Sequence, residues 1–460
     1  MTPTETPAER AWRELGGAPE LLGRLAPPPS EIVLPSRLDV VALASDSVAL
    51  ATLALHAVLR ERGITPDVPP VAVDGARLVT SIRSERHLRI GGAAPDAWAP
   101  LSGFWETADG WVRTHGNYPH HADRLRRLLG IDGDATKEQV AAALGRRAAQ
   151  EVEDEAARVG AVAVRVRDES EWAAHPQARA VREAPLVATA ARPGAAPRPW
   201  TAGARRPLEG IRVLDLTRVI AGPVAGRDLA FAGAEVLRVD SPRLPEIGWQ
   251  HLDTGQGKRS TRLDLASPAD AATFDELLAD ADVLVTGYRP GALAAFGLTP
   301  ETLAERHPGL VVGSVSAWGE TGPWAERRGF DSIVQAASGI ARIESEDGIR
   351  PGALPAQALD HSAGHLLAAG IVRALSVQRT HGGTHSVSVS LARVAQALLE
   401  GLRRAEHAEA RIPEPTVQRG RTGADELVTA LPVLAYRCAP PEYERLGGRW
   451  GEDRPAWSLP

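Results

Sequence analysis

Leu208-Glu-Gly-Ile-Arg-Val-Leu-Asp-Leu-Thr-Arg-Val-Ile-Ala-Gly-Pro223, followed by Ala232-Gly-Ala-Glu-Val-Leu-Arg-Val-Asp240 and Gly255-Gln-Gly-Lys-Arg-Ser-Thr-Arg-Leu-Asp264, is the stretch that decides the fold. Ile211–Leu216 is a short apolar run that opens a βαβ unit, with a glycine-containing turn after it. Ala234 to Asp240 reads as a second buried strand. Gly257, Lys258 and Arg259 then place two cations on a loop before a third strand, expected at 262–265. This combination suits an anionic, phosphate-bearing ligand at the carboxyl ends of parallel strands. The first turn lacks G-x-G-x-x-G, so neither NAD nor FAD is implied. Asp240 could touch a ribose, although such a residue more often caps or pairs locally.

Outward from this stretch, apolar runs at 282–286 and 310–316 alternate with helical patterns at 222–232, 268–279, 300–306 and 362–378. The alternation predicts a mostly parallel sheet with helices on both faces, an α/β fold. Before it, Ala191-Arg-Pro-Gly-Ala-Ala-Pro-Arg-Pro-Trp200 has no hydrophobic period and reads as an exposed linker. An N-terminal helix at about 7–25 is closed by Pro27-Pro-Pro-Ser30. Residues 43–83 echo 359–398 in pattern: a helix of small and aliphatic residues, a turn, a strand and another helix. The position facing Asp360 in this degenerate first copy falls around Ala44 to Asp46. Gly103 to His115 reads as a hairpin around Asp109-Gly110, with Trp105 and Trp111 as a cross-strand pair. Helices at about 119–130 and 136–158 and a strand at 161–166 complete a small α+β unit.

Composition excludes several classes. A net charge of -6 gives no reason to expect nucleic acid. No apolar run is read as reaching the ~18 residues of a membrane span, and the first residues do not read as a signal peptide. Cys438 is the lone cysteine, which rules out an intrachain disulfide framework and a multi-cysteine metal site, and fits a cytoplasmic protein. His115, His120 and His121 lack a fourth ligand at suitable spacing, so no metal is expected. Lysine occurs only as Lys137 and Lys258. A lysine inside Gly-Lys-Arg-Ser is therefore read either as chance or as a need for a compact ammonium.

The order of pieces from 207 to 391 resembles the family III CoA-transferases, the class that includes carnitine and formyl CoA-transferases and methylacyl-CoA racemases. The resemblance continues through Ala281-Asp-Val-Leu-Val-Thr-Gly-Tyr-Arg-Pro-Gly-Ala-Leu293, Gly297-Leu298, Gly319-Glu-Thr-Gly-Pro323 and Gly329-Phe-Asp-Ser-Ile-Val-Gln-Ala-Ala-Ser-Gly339. It reaches Leu359-Asp360 and the Val387-Ser-Val-Ser-Leu391 strand. It implies a Rossmann-like large domain with a smaller α+β domain, here in rearranged or fused halves. The expected divisions are an N-terminal extension (1–35), the degenerate repeat (36–90), the small domain (91–190), a linker (191–206), the catalytic domain (207–400) and a returning segment (401–460) with a strand near Leu431.

On the residues alone, Asp360 before an apolar helix is a helix cap. The resemblance makes it the nucleophile that attacks an acyl-CoA carbonyl, with an ordinary carboxylate pKa near ~3.9, Gly364 helping to hold oxyanions. It assigns CoA binding to Val219 and Ile220, Lys258 and Arg259 for the phosphates, Leu263, Gly287, Tyr288 and Arg289 on the adenine side, and Arg328 near the thioester arm. CoA thioester is then a substrate, and no cofactor is bound permanently. The partners are acyl-CoA and a small carboxylic acid, without nucleic acid or membrane, in a homodimer or an intrachain pseudo-dimer. Two departures stand out. Phe330 occupies the position of a racemase histidine, and Ile220 that of a glutamine found in some transferases. Two alternatives stay open: a racemase or isomerase, for which His361 or His365 is the nearby acid/base, and a non-catalytic CoA-binding subunit.

Overall fold

The computed structural model describes residues 5–401 and 409–458. A seven-stranded sheet is built from β1 (Ala188–Arg192), β2 (Arg212–Leu216), β3 (Glu235–Asp240), β4 (Arg259–Arg262), β5 (Val283–Thr286), β6 (Val311–Ser316) and β7 (Thr384–Ser390). Their order across the sheet is β1-β7-β6-β5-β2-β3-β4. All pairs are parallel except β1 on β7. Val213 lies opposite Val236 and Val283, and Val283 opposite Val311, so near-continuous aliphatic strands are buried on both faces. The chain leaves β2 toward β3 and β4 on one side and toward β5, β6 and β7 on the other. This is the doubly wound order, with its switch point between β2 and β5.

Three helices position the rest: α1 (Val40–Glu61), α2 (Ala221–Phe231) and α3 (Ala358–His381). α3 packs against both α1 and α2, and its small residues permit the approach. A Cβ on Gly364 would stand 2.5 Å from the Ala221 carbonyl oxygen, and one on Gly370 2.4 Å from Val387 Cγ1. Gly364 therefore serves helix packing, which corrects its reading as an oxyanion residue. α1 is capped by the Asp39 carboxylate, which accepts from the Ala42 N–H at 3.1 Å. By length and composition α1 could cross a bilayer, contrary to the sequence expectation, but 89% of its most apolar window is buried inside the fold. It is a core helix whose partner is α3.

Two further three-stranded sheets occur among the described residues. Gly103–Glu106, Trp111–Thr114 and Ala163–Arg165 form the small lobe's sheet, with helices at Pro119–Leu129, Lys137–Leu144 and Ala149–Val159. The single helix expected at 136–158 is thus two. The hairpin register sets Glu106 opposite Trp111 and Trp105 opposite Val112. The two tryptophans therefore point to opposite faces and do not pair. Arg89–Ile90 pairs with Asp425–Ala430, which pairs with Val417–Thr422. The strand expected near Leu431 falls just before it, at 425–430. In the segment expected to be a first copy, the expected strand is reduced to a single bridge between Val71 and Leu25. The sheet's edge strand also crosses from the expected small domain into the expected linker, because Ala188–Arg192 adds to the edge of β7. Residues 402–408 and 459–460, within the expected returning segment, lie outside the described residues.

Candidate active site

Asp360 sits in the first turn of α3, directly after the loop that leads from Asp331–Ala337. Asp331 is wholly buried and anchors that turn. Its Oδ2 accepts the backbone N–H of Leu359 at 2.9 Å and of Asp360 at 3.1 Å, and Gln335 donates to Oδ1. The Asp331 side chain thus takes over capping of α3, a role the sequence had assigned to Asp360. Asp360 is left free to face a cavity. Among the described residues nothing donates a hydrogen bond to its carboxylate. Burial, and secondarily the charge of Asp331, raise its pKa well above the ordinary carboxylate value. Burial likewise pushes Asp331 up, against the three hydrogen bonds that favour its charged form. Of the two, Asp331 is the better-supported anion.

The cavity has a volume of about 660 Å³ and runs along the carboxyl ends of β2 to β7. It brings together Val219, Leu263, Gly287, Tyr288, Arg289, Arg328 and Asp360, seven of the ten residues expected to form the site. The other three are corrections. Ile220 is buried beneath the first turn of α2 and does not reach the cavity wall. Lys258 is buried with its Nζ 2.8 Å from Asp215 Oδ2 and 2.7 Å from the Pro223 carbonyl oxygen. Its ammonium locks α2 to β2, and nothing about it faces a ligand. Arg259 lies within β4, bound to Glu235 at 3.1 Å and to the Ala456 carbonyl oxygen at 2.6 Å. The reason is one of register. β4 starts three residues earlier than expected, with Arg259 opposite Leu237, so the two cations are drawn into the sheet's edge and interior.

Other side chains supply the cavity with positive charge. Arg218 lies over the Tyr118 ring at 4.6 Å and 3.7 Å from Glu246. Arg243 pairs with Asp264 at 2.7 Å. Arg328 has two further guanidiniums, Arg124 and Arg289, as its electrostatic neighbours, and burial together with this repulsion lowers its pKa. Glu246 ties several of these pieces together. It accepts from Tyr118 Oη at 2.5 Å, from Arg238 at 2.8 Å and from the Val219 N–H at 3.2 Å. Val219 needs that support, because its φ is +71°, in the left-handed region that a β-branched residue avoids. Asp240 pairs with Arg238 at 3.0 Å, a local partner and not a free ribose ligand.

The histidines are redistributed. His361 is buried with both ring nitrogens unpartnered, and burial drives its pKa well below the usual value. His365 is buried against Asp228 Oδ2 at 2.6 Å. Neither lines the cavity, whereas His120 and His121 of the small lobe do. The hairpin and helix pattern located these two histidines, but only tertiary packing brings the small lobe against the sheet's edge. Tyr118, Glu246 and Arg218 were missed for the same reason.

A family model described as CoA-transferase family III matches residues 208–442, just over half of the 460 residues. The chain belongs to CoA-transferase family III. Among its relatives, a protein named probable fatty acyl-CoA transferase Rv3272 from Mycobacterium tuberculosis is 32% identical over 211 residues, which cover 43% of this chain and 54% of that protein. The succinyl-CoA:glutarate CoA-transferase of Homo sapiens is 37% identical over 162 residues, 32% of this chain and 37% of that one. An acyl-CoA transferase of Gibberella moniliformis is 32% identical over 325 residues, 65% of this chain and 56% of that one. The chain therefore spans between about a third and just over half the length of these relatives. The matched segment contains β2 to β7, α2, α3 and Asp360, while the small lobe and α1 precede it.

Proposed function

We propose that this chain transfers CoA from an acyl-CoA donor to a carboxylic acid, with Asp360 as nucleophile. The observation that carries the reading is a carboxylate without a hydrogen-bond donor, at a helix start, facing a cavity along the carboxyl edge of a doubly wound sheet. An Asp360 oxygen attacks the acyl carbonyl, the C–S bond breaks, and CoA thiolate leaves a mixed anhydride. The thiolate then attacks the aspartyl carbonyl, which releases the donor acid and forms an aspartyl-CoA thioester. The acceptor carboxylate attacks that thioester, and the thiolate returns to the acceptor's carbonyl. Asp360 is regenerated, and no proton is gained or lost. The raised pKa means that the reactive fraction of Asp360 grows with pH. Family membership and relatives named as CoA-transferases support the reaction class.

Arg328, Arg124 and Arg289 are the cations best suited to the CoA phosphates, because bound anions relieve their mutual repulsion. Lys258 and Arg259 are not. Steady-state kinetics separate the two assignments. Arg328→Ala is expected to raise KM for the acyl-CoA about tenfold, the loss of one charge-assisted hydrogen bond. Lys258→Met is expected to leave KM unchanged in whatever protein stays folded, while destabilising the fold by about 3–5 kcal/mol because Asp215 is left buried and unpaired. Unchanged KM in Arg328→Ala together with a raised KM in a stable Lys258→Met would reverse the assignment. The racemase alternative gains nothing from His361 or His365, since neither faces the cavity. The packing of α1 on α3 supports an intrachain pseudo-dimer, in which the first copy covers the second.

A further inference from the structure

The two ends of the cavity differ, and the difference selects an acyl group. Cavity residues follow β4 and β3 at one end (Asp264, Ser241) and β6 and β7 at the other (Ala317, Leu391), five strand spacings or about 24 Å apart. At the second end Phe330 stands beside Asp360. The adjoining Asp331 is bonded to the Asp360 backbone, so Phe330 and the nucleophile are fastened to each other. Val315, Ala317 and Leu391 complete this apolar wall. Behind Phe330 the His115 ring stacks at 3.7 Å, and His121, itself on the cavity wall, meets Phe330 edge-on at 5.6 Å. Burial lowers their pKa values to about 3 and about 2, so both rings are neutral at working pH.

Two of the cations nearby are committed elsewhere, and the third, Arg328, is the one assigned above to the CoA phosphates. Arg327 lies over Trp324 at 4.7 Å and reaches Glu153 at 3.6 Å. Arg113, whose charge is felt by Asp331, lies between the Trp98 and Phe104 rings at 4.8 and 4.9 Å. We propose that Phe330 is the specificity-determining residue of this site, and that it selects the uncharged, apolar acyl group of a monocarboxylic acid over one bearing a second carboxylate. A second carboxylate there finds neither Arg327 nor Arg113 free to pair, loses its water against Phe330 and faces Asp360. This inference rests on the CoA-thioester reading of the cavity.

Titration calorimetry of the full chain with CoA, butyryl-CoA and succinyl-CoA, without acceptor, tests it. The wild type and Phe330→Leu are expected to bind butyryl-CoA at least tenfold more tightly than succinyl-CoA. Phe330→Arg is expected to cut that ratio at least tenfold. Succinyl-CoA binding as tightly as butyryl-CoA to the wild type overturns the proposal, whatever becomes of the variants. A ratio that a folded Phe330→Arg leaves unmoved also overturns it. Failure of CoA itself to bind is a separate result, which removes the underlying reading and this inference together.

Discussion

Burial and the neighbouring Asp331 both disfavour the charged form of Asp360, so the folded chain holds that proton to higher pH than the unfolded chain does. The sign of the consequence follows. Above the unfolded carboxylate value of ~3.9 the folded state binds more protons than the unfolded state, and stability falls as pH rises toward the raised folded pKa. Removing the charge removes the penalty. Asp360→Asn is expected to raise the unfolding free energy at pH 7 by about 1–2 kcal/mol, read from denaturant midpoints at equal slope, while abolishing transfer. In the wild type, kcat/KM is expected to climb with pH along a limb whose apparent pKa lies above the carboxylate range. A destabilised Asp360→Asn, or a rate that falls as pH rises from 5 to 7, would contradict the buried-pair electrostatics.

At the scale of elements, the loop between β2 and α2 stores strain where it borders the cavity. Val219 adopts φ +71° and is held there by Glu246. Such strain costs about 1–3 kcal/mol, so Val219→Gly is expected to raise the thermal midpoint, with a looser cavity loop and a higher KM as the functional consequence. A lowered midpoint would show that the valine side chain contributes more than its backbone costs. The strands around this loop were legible because aliphatic runs such as Val213-Leu214 and Val283-Leu284-Val285 are buried on both faces, and that pattern survives any tertiary detail. β4 was placed three residues late, since Arg-Ser-Thr-Arg carries no hydrophobic signal and its pairing with β3 decides its start. The place of Asp360 at the start of α3, on the cavity, was legible through the order of motifs. Asp331 as its clamp, and Lys258 as a buried pair with Asp215, were not, because each depends on a partner distant in sequence. Phe330 stood out as a departure from the racemase pattern, but its histidine backing comes from the small lobe.

For the whole molecule, α1 packs against α3, which supports the proposed intrachain pseudo-dimer. Asp46, in the part of α1 expected to correspond to Asp360, is partly buried and accepts the Ala8 N–H at 3.3 Å. That bond ties it to the N-terminal helix. An active monomer is therefore expected in sedimentation velocity, at the chain mass of 48.8 kDa, whereas activity confined to a dimeric boundary would contradict the pseudo-dimer. The most direct test of the chemistry is intact-protein mass spectrometry after incubation with a panel of acyl-CoAs and trapping with hydroxylamine, on the wild type and Asp360→Ala. The expected result is a trapped adduct that maps to Asp360 and is absent from the variant. CoA binding without any adduct, or an adduct that persists in Asp360→Ala, would contradict the assignment of Asp360 as the nucleophile.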